Sequence, residues 1–193
     1  MGSALSHAQL VIIKAAQDIF ARFGFKKTTM NDIARAAHKA KSSIYRYFKS
    51  KEEIFQTIVE KESQTLKEKI EKSINAQNNP EKKLRVYVIT RMKVLKNLVN
   101  FYSALKDEYL EHYAFIEKIR KKYLKDEIRV IKKILKSGVK QGAFVIEDLE
   151  LTAFTIVIAL KGLEYPLIQK SEILNTDQGI DSLLKILFNG ITK

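Results

Sequence analysis

No cysteine occurs among the 193 residues, which excludes disulfides, thiol chemistry and cysteine-bound zinc. Proline and glycine are scarce, at 2 and 7. Sheets with many turns use more of both, so an all-α chain rich in Leu, Ile, Ala, Lys and Glu is favoured. Long apolar runs are also lacking. The longest, Ala153 to Leu160, already contains Thr155 and stops at Lys161, far short of the ~20 residues of a membrane span. No secretory pattern is read either, so a cytoplasmic protein with no membrane partner is expected. The three histidines, His7, His38 and His112, are scattered. Glu108 with His112, and Asp107 with Glu111, sit one helical turn apart, but such spacing reads as an exposed charged face and no metal site is assigned. With no glycine-rich phosphate loop and no nucleophile–base pattern, no catalytic residue, cofactor or enzymatic activity is expected.

What the chain has in excess is positive charge. There are 35 Lys and Arg against 22 Asp and Glu, a net +13. Such a balance points to nucleic acid or another anionic surface. It is uneven: residues 1–50 carry nine basic residues and two Asp, or +7, in about a quarter of the chain. The length suits one large or two small domains with a real core.

Periodicity predicts helices throughout. Val11, Ala15, Ile19 and Phe23 mark a first helix that Gly24 stops. Thr29 and Asp32 form a capping box for a second helix, and a third runs over roughly 41–48. Ser50 with Glu53 caps a long fourth helix to about Asn75, and Asn78-Asn79-Pro80 breaks and restarts the chain. Further helices are predicted at about 81–96, 98–109, 113–138, 147–168 and 177–190.

Two short helices joined by a tight turn in a basic segment suggest a helix-turn-helix. At ~100° per residue, Ile44 and Phe48 fall on the buried side of the third helix. Ser42, Ser43 and Arg46 face outward, with Tyr45 and Tyr47 on the flanks. Arg46 is suited to a guanine edge or a phosphate, and the two serines leave room to approach the groove floor. The tyrosine hydroxyls are suited to phosphates on either wall. Lys51 and Thr29, each at a helix start, are candidate phosphate positions; Lys41 and Lys39 complete the set.

The stretches Ile13-Lys14-Ala15-Ala16, Phe20, Gly24-Phe25, Thr28-Thr29-Met30-Asn31-Asp32-Ile33-Ala34 and Ile44 to Phe55 resemble, in combination, the head of the tetracycline-repressor (TetR) family. The body resembles the family in layout, including Gly138 and Gly142-Ala143-Phe144. The resemblance implies a homodimeric one-component regulator, usually a repressor released from DNA by a small ligand. Where the family has Gly and then an apolar residue at the turn, this chain has His38 and Lys39. His38 is expected to take a left-handed backbone, and Lys39 to lay its stem over the packing surface with its ammonium toward a phosphate. Ala40 replaces the usual hydroxyl cap.

The expected organisation is a DNA-binding head over 1–50 and a helical ligand-binding and dimerisation domain over 51–193. Apolar residues surround the axis of the helix near Leu151 to Leu163, so it needs cover on every side. A second copy is expected to supply it, with Leu151, Phe154 and Ile158 joined by Leu184, Leu187 and Phe188 of the last helix. Tyr102, Tyr109 and Tyr113 are candidate walls of an effector pocket, because buried hydroxyls need partners. The partners expected are therefore a double-stranded operator, a small-molecule effector and a second copy. Two alternatives stay open: a ligand-independent DNA-binding regulator, and a basic helical adaptor for an acidic partner. The outward Ser/Ser/Arg face favours DNA.

Overall fold

The computed structural model describes residues 5–107, 110, 113–168, 182, 184–186 and 189. Among the described residues, eight helices are bounded, in order: α1 (His7–Lys27), α2 (Met30–Ala36), α3 (Lys41–Tyr45), α4 (Lys51–Asn75), α5 (Pro80–Leu95), α6 (Val99–Lys106), α7 (Ala114–Lys140) and α8 (Leu149–Ile168). The described residues include no strand, as the shortage of Gly and Pro predicts. Of the expected last helix only a few positions are described, and Leu187 and Phe188 lie outside them.

Local chemistry sets the boundaries. Ser6 and Gln9 form a capping box that starts α1 ahead of the expected Leu10. Gly24 interrupts α1 with φ 77°, a left-handed value that glycine takes without steric cost. The Thr28 hydroxyl then donates to the Gly24 carbonyl at 2.8 Å. Asn79 caps α5 by accepting from the Lys82 amide, with Pro80 in the first turn, and such a cap contributes about 1 kcal/mol. At the end of α7, Gly142 takes φ 70°, and the Ala143 amide donates back to the Gly138 carbonyl at 2.9 Å. Gly138 has a packing role: a Cβ there would lie 2.0 Å from the Phe144 ring.

Close contacts divide the chain into two compact units, Met1–Gln64 with Leu98–Ile119, and Thr65–Asn97 with Arg120–Lys193. The first unit is held by an aromatic cluster. Phe20 stacks on Phe25 at 5.6 Å, and Phe55 lies 5.1 Å from Phe20 and 4.9 Å from Phe25. Ile12, Ile13, Ile33, Ile44 and Phe101 are buried in the same unit.

In the second unit, α5 buries Leu84, Tyr87, Val88, Arg91, Met92 and Leu95, spaced as one helical face. Arg91, fully buried, forms a two-pronged ion pair with Glu127 of α7, through Nε to Oε1 and through Nη2 to Oε2 at 3.3 Å. The Tyr87 hydroxyl donates to the same carboxylate at 2.8 Å. Burial, and then the Glu127 charge, push the Tyr87 hydroxyl well above its ordinary range, so it remains a donor. α8 also has two sides. Ala153, Ile156, Val157 and Leu160 are buried, while Leu151, Phe154 and Ile158 are 61%, 44% and 45% exposed.

Candidate nucleic-acid interface

The interface rests on α2, the turn after it, and α3. Thr29 caps α2 as predicted: its hydroxyl accepts from the Asp32 amide, and Asp32 accepts from the Thr29 amide at 3.0 Å and the Thr29 hydroxyl at 2.6 Å. These hydrogen bonds, the hydroxyl's first, hold the Asp32 carboxyl below its usual value. The turn follows immediately. His38 has φ 51° and is the one non-glycine residue with positive φ among those described. Its amide donates to the Arg35 carbonyl, and the Lys39 amide donates to Ala34. The left-handed conformation expected of His38 is therefore the one it adopts, and Lys39 beside it is half-buried.

Ala40 supplies no side-chain cap to α3, again as read from sequence. Ile44 and Phe48, at 0% and 3% exposure, anchor this segment in the unit's core. α3 itself is shorter than expected and ends at Tyr45. Arg46 and Tyr47 lie in the turn that follows, held by bonds from the Tyr47 and Phe48 amides to the Ile44 carbonyl at 2.9 and 3.0 Å. Tyr45 and Tyr47 are 47% and 38% exposed. Lys41, Ser42 and Arg46 are exposed, whereas Ser43 is half-buried. The Lys41 ammonium stands 5.9 Å from the centroid of the Tyr45 ring. The exposed surface of this short element thus offers two phenols, a guanidinium, an ammonium and a small hydroxyl.

Two expected contacts are placed differently. The Lys51 ammonium does not point outward from the start of α4. It donates to the Phe25 and Thr28 carbonyls at 3.0 and 3.1 Å and lies 4.4 Å from the Phe25 ring centroid. Carbonyls left open around the end of α1 attract a cation more strongly than solvent does. Thr29 is exposed, but its hydroxyl is already engaged by Asp32. Both residues shape the head.

Of the pocket walls read from sequence, Tyr102 and Tyr113 are among the described residues. Tyr113 sets its ring edge-on to Phe25 at 5.3 Å, against the aromatic cluster of the first unit. The ring is half-buried there, and its part in an effector pocket is a matter for the proposal below. Tyr102 on α6 is half-buried, and Tyr109 lies outside the described residues.

Sequence reasoning missed a polar hub. Glu62 of α4, nearly fully buried, accepts from Gln17 Nε2 of α1 at 2.6 Å and from Asn100 Nδ2 of α6 at 3.0 Å. Its second oxygen accepts from the Phe101 amide at 2.8 Å. α6 has no side-chain cap at Leu98, so a carboxylate from another helix satisfies its first turn. Nothing in the local pattern announces this, because the partners lie 38 to 45 residues apart.

A short helix anchored by two buried residues, following a left-handed turn and a capped helix, defines a helix-turn-helix protein with a helical body. Residues 12–58 match the sequence profile of the bacterial regulatory proteins of the tetR family. An uncharacterized HTH-type transcriptional regulator of Bacillus subtilis, YhgD, is 30% identical over 151 residues, covering 76% of this chain and 77% of that protein. The fatty acid degradation regulator FadR of Bacillus halodurans superposes with a TM-score of 0.80 at 22% identity, over 97% of this chain and 98% of that one. FadR of Bacillus subtilis, solved with stearoyl-CoA, gives 0.72 at 23% identity, over 91% and 96%. The chain belongs to the tetR family and is a helix-turn-helix transcriptional regulator.

Proposed function

We propose that this regulator is a homodimeric repressor that reads a near-palindromic operator and leaves it when a small effector binds the helical body. One observation carries the DNA reading: the exposed Lys41, Ser42, Tyr45, Arg46 and Tyr47 are mounted on the buried pair Ile44 and Phe48. Arg46 serves a base edge or a phosphate, and Lys39, Lys41, Ser43 and the tyrosines position the backbone. Functionally, 1–50 would make the DNA contacts and 51–193 the dimer and effector contacts. The dimer reading is supported by the exposed apolar side of α8, where Leu151, Phe154 and Ile158 follow helical spacing. Leu184 is buried within the single chain, so its part there is better read as core. Leu187 and Phe188, outside the described residues, complete the interface as first expected.

The effector is proposed to be small and mostly apolar, with Tyr102, Tyr109 and Tyr113 as candidate contacts. The relatives named for fatty acid metabolism, one of them held with stearoyl-CoA, support an apolar or amphiphilic ligand. The protein is proposed to act in the cytoplasm without catalysis. No helix among the described residues is long and apolar enough to cross a membrane.

The test is DNA selection from a random pool, followed by Arg46→Ala. A loss of roughly 1–3 kcal/mol confined to one base position makes Arg46 a reader. A uniform loss makes it a phosphate contact, and selection of no sequence defeats the repressor reading. Ile158→Glu is expected to yield monomers in light scattering, and a stable dimer would remove α8 from the interface.

A further inference from the structure

Charge is distributed differently on the two longest helices. α4 carries five basic and six acidic residues. α7 carries ten basic and three acidic residues, and one of the three, Glu127, is buried against Arg91. The excess lies along one side. Lys122, Lys125, Arg129, Lys133, Lys136 and Lys140 are all exposed and recur at intervals of three or four. At 1.5 Å per residue the stripe runs about 27 Å. Lys122, Lys125, Lys133 and Lys136 form no ion pair with any described residue, whereas Arg129 pairs with Asp126 at 2.6 Å.

Such a stripe works against the helix that bears it. Like charges at i,i+4 each destabilise a helix by a few tenths of a kcal/mol, and α4 avoids this by alternating signs. The pattern on α7 therefore fits a surface whose charge is neutralised by something outside the chain. The chemistry of the stripe narrows the partner. It is mostly lysine, a compact point charge suited to phosphate, whereas protein interfaces are depleted of lysine. The opposite face of α7 is spent on its own core, through Tyr123, Ile131 and Leu135, so it offers no apolar side to a membrane.

We propose that this face of α7 is a second, sequence-independent DNA surface that engages duplex outside the operator while the head holds the operator. The proposal rests on the DNA-binding reading above. A regulator already held on DNA meets further duplex at high effective concentration, and each phosphate it neutralises adds to affinity through counterion release. The surface would let one molecule hold two DNA segments together.

The experiment uses the full chain and its K122Q/K125Q/K133Q/K136Q variant, with a quadruple Lys→Arg variant as control. A duplex selected by the wild type is immobilised and saturated with protein, and a labelled mixed-sequence duplex is then added. Wild type and the Arg control are expected to retain the second duplex at low salt, and the Gln variant to release it with its affinity for the first unchanged. In solution, the Gln variant's log–log salt slope for mixed-sequence duplex should be shallower by about 3–4. Its melting temperature should not fall, because repulsion is removed. Equal retention and equal slopes would overturn the proposal. So would stripe-dependent capture of phosphatidylserine vesicles without capture of a second duplex. If the wild type selects no duplex, the operator reading fails by itself, and the slope comparison on mixed-sequence DNA still decides the stripe.

Discussion

Glu62 and Asn100, 38 residues apart in sequence, meet at 3.0 Å, and the same carboxylate oxygen receives Gln17 of α1. A single side chain of α4 thus ties the first helix of the head to the start of α6. Removing it takes one of two acceptors from Asn100 Nδ2, which keeps the Gln17 carbonyl at 3.2 Å, and removes the carboxylate that the Phe101 amide meets; a buried donor that loses its acceptor costs roughly 1–3 kcal/mol. Glu62→Ala is therefore expected to lower stability by about 3 kcal/mol in urea denaturation. Combined with Asn100→Ala it should show a coupling of at least about 1 kcal/mol. Strict additivity would mean that the two side chains act independently.

His38 stores local strain. At φ 51° it occupies a region that costs a non-glycine residue about 1–2 kcal/mol. His38→Gly should stabilise the protein by about 0.5–1 kcal/mol, the entropy of the unfolded glycine offsetting part of the gain. His38→Val should destabilise it. Thermal melts of the two variants moving the same way would contradict the strain assignment.

Asp32 gives the head an acid dependence. Its folded pKa lies below the ordinary 3.8 because Thr29 donates to it. A depressed carboxylate stabilises the fold fully above the unfolded value, and the contribution disappears as pH falls through the folded one. Wild type should melt above Asp32→Asn near neutral pH, with the gap closing below about pH 4. A gap that is constant across that range would separate Asp32's role from its charge.

Arg91 and Glu127 are both buried, so deleting either takes from the other the charge it is paired with. Glu127→Ala is expected to cost about 3–5 kcal/mol. The triple variant Tyr87→Phe, Arg91→Met, Glu127→Leu removes charge and hydroxyl together and should return to within about 1 kcal/mol of wild type. Chemical denaturation distinguishes the two. A triple variant as unstable as the single one would show that the polar cluster, rather than charge compensation, holds α5 to α7.

The parts legible in the sequence are those decided within a few residues. Thr29 with Asp32, Asn79 with Pro80, the stop at Gly24 and the left-handed His38 all follow from local backbone chemistry. The burial of Ile44 and Phe48 follows from helical period alone. What escaped depends on partners brought from afar. Lys51 reads as an outward cation until the end of α1 arrives beside it, 23 to 26 residues back in the chain. The ring contact between Tyr113 and Phe25, far apart in the chain, has no local signature either. Arg91 did leave a trace, since it occupies a stripe otherwise filled by Leu84, Tyr87, Val88 and Leu95. A lone charge on such a face, with Glu127 on a comparable stripe of α7, is the signature of a buried pair.

The compact unit bearing the reading helix is assembled from two separated stretches, Met1–Gln64 and Leu98–Ile119. During synthesis the first stretch emerges with Glu62 lacking Asn100 and Phe25 lacking Tyr113. Before they arrive, residues 65–97 of the other unit must pass out of the ribosome. The head thus completes its core only after part of the body is already outside, and the two units fold interleaved. A chain cut short before residue 98 would present the proposed DNA contacts on a head with its polar hub open, and such products are expected to compete poorly for the operator.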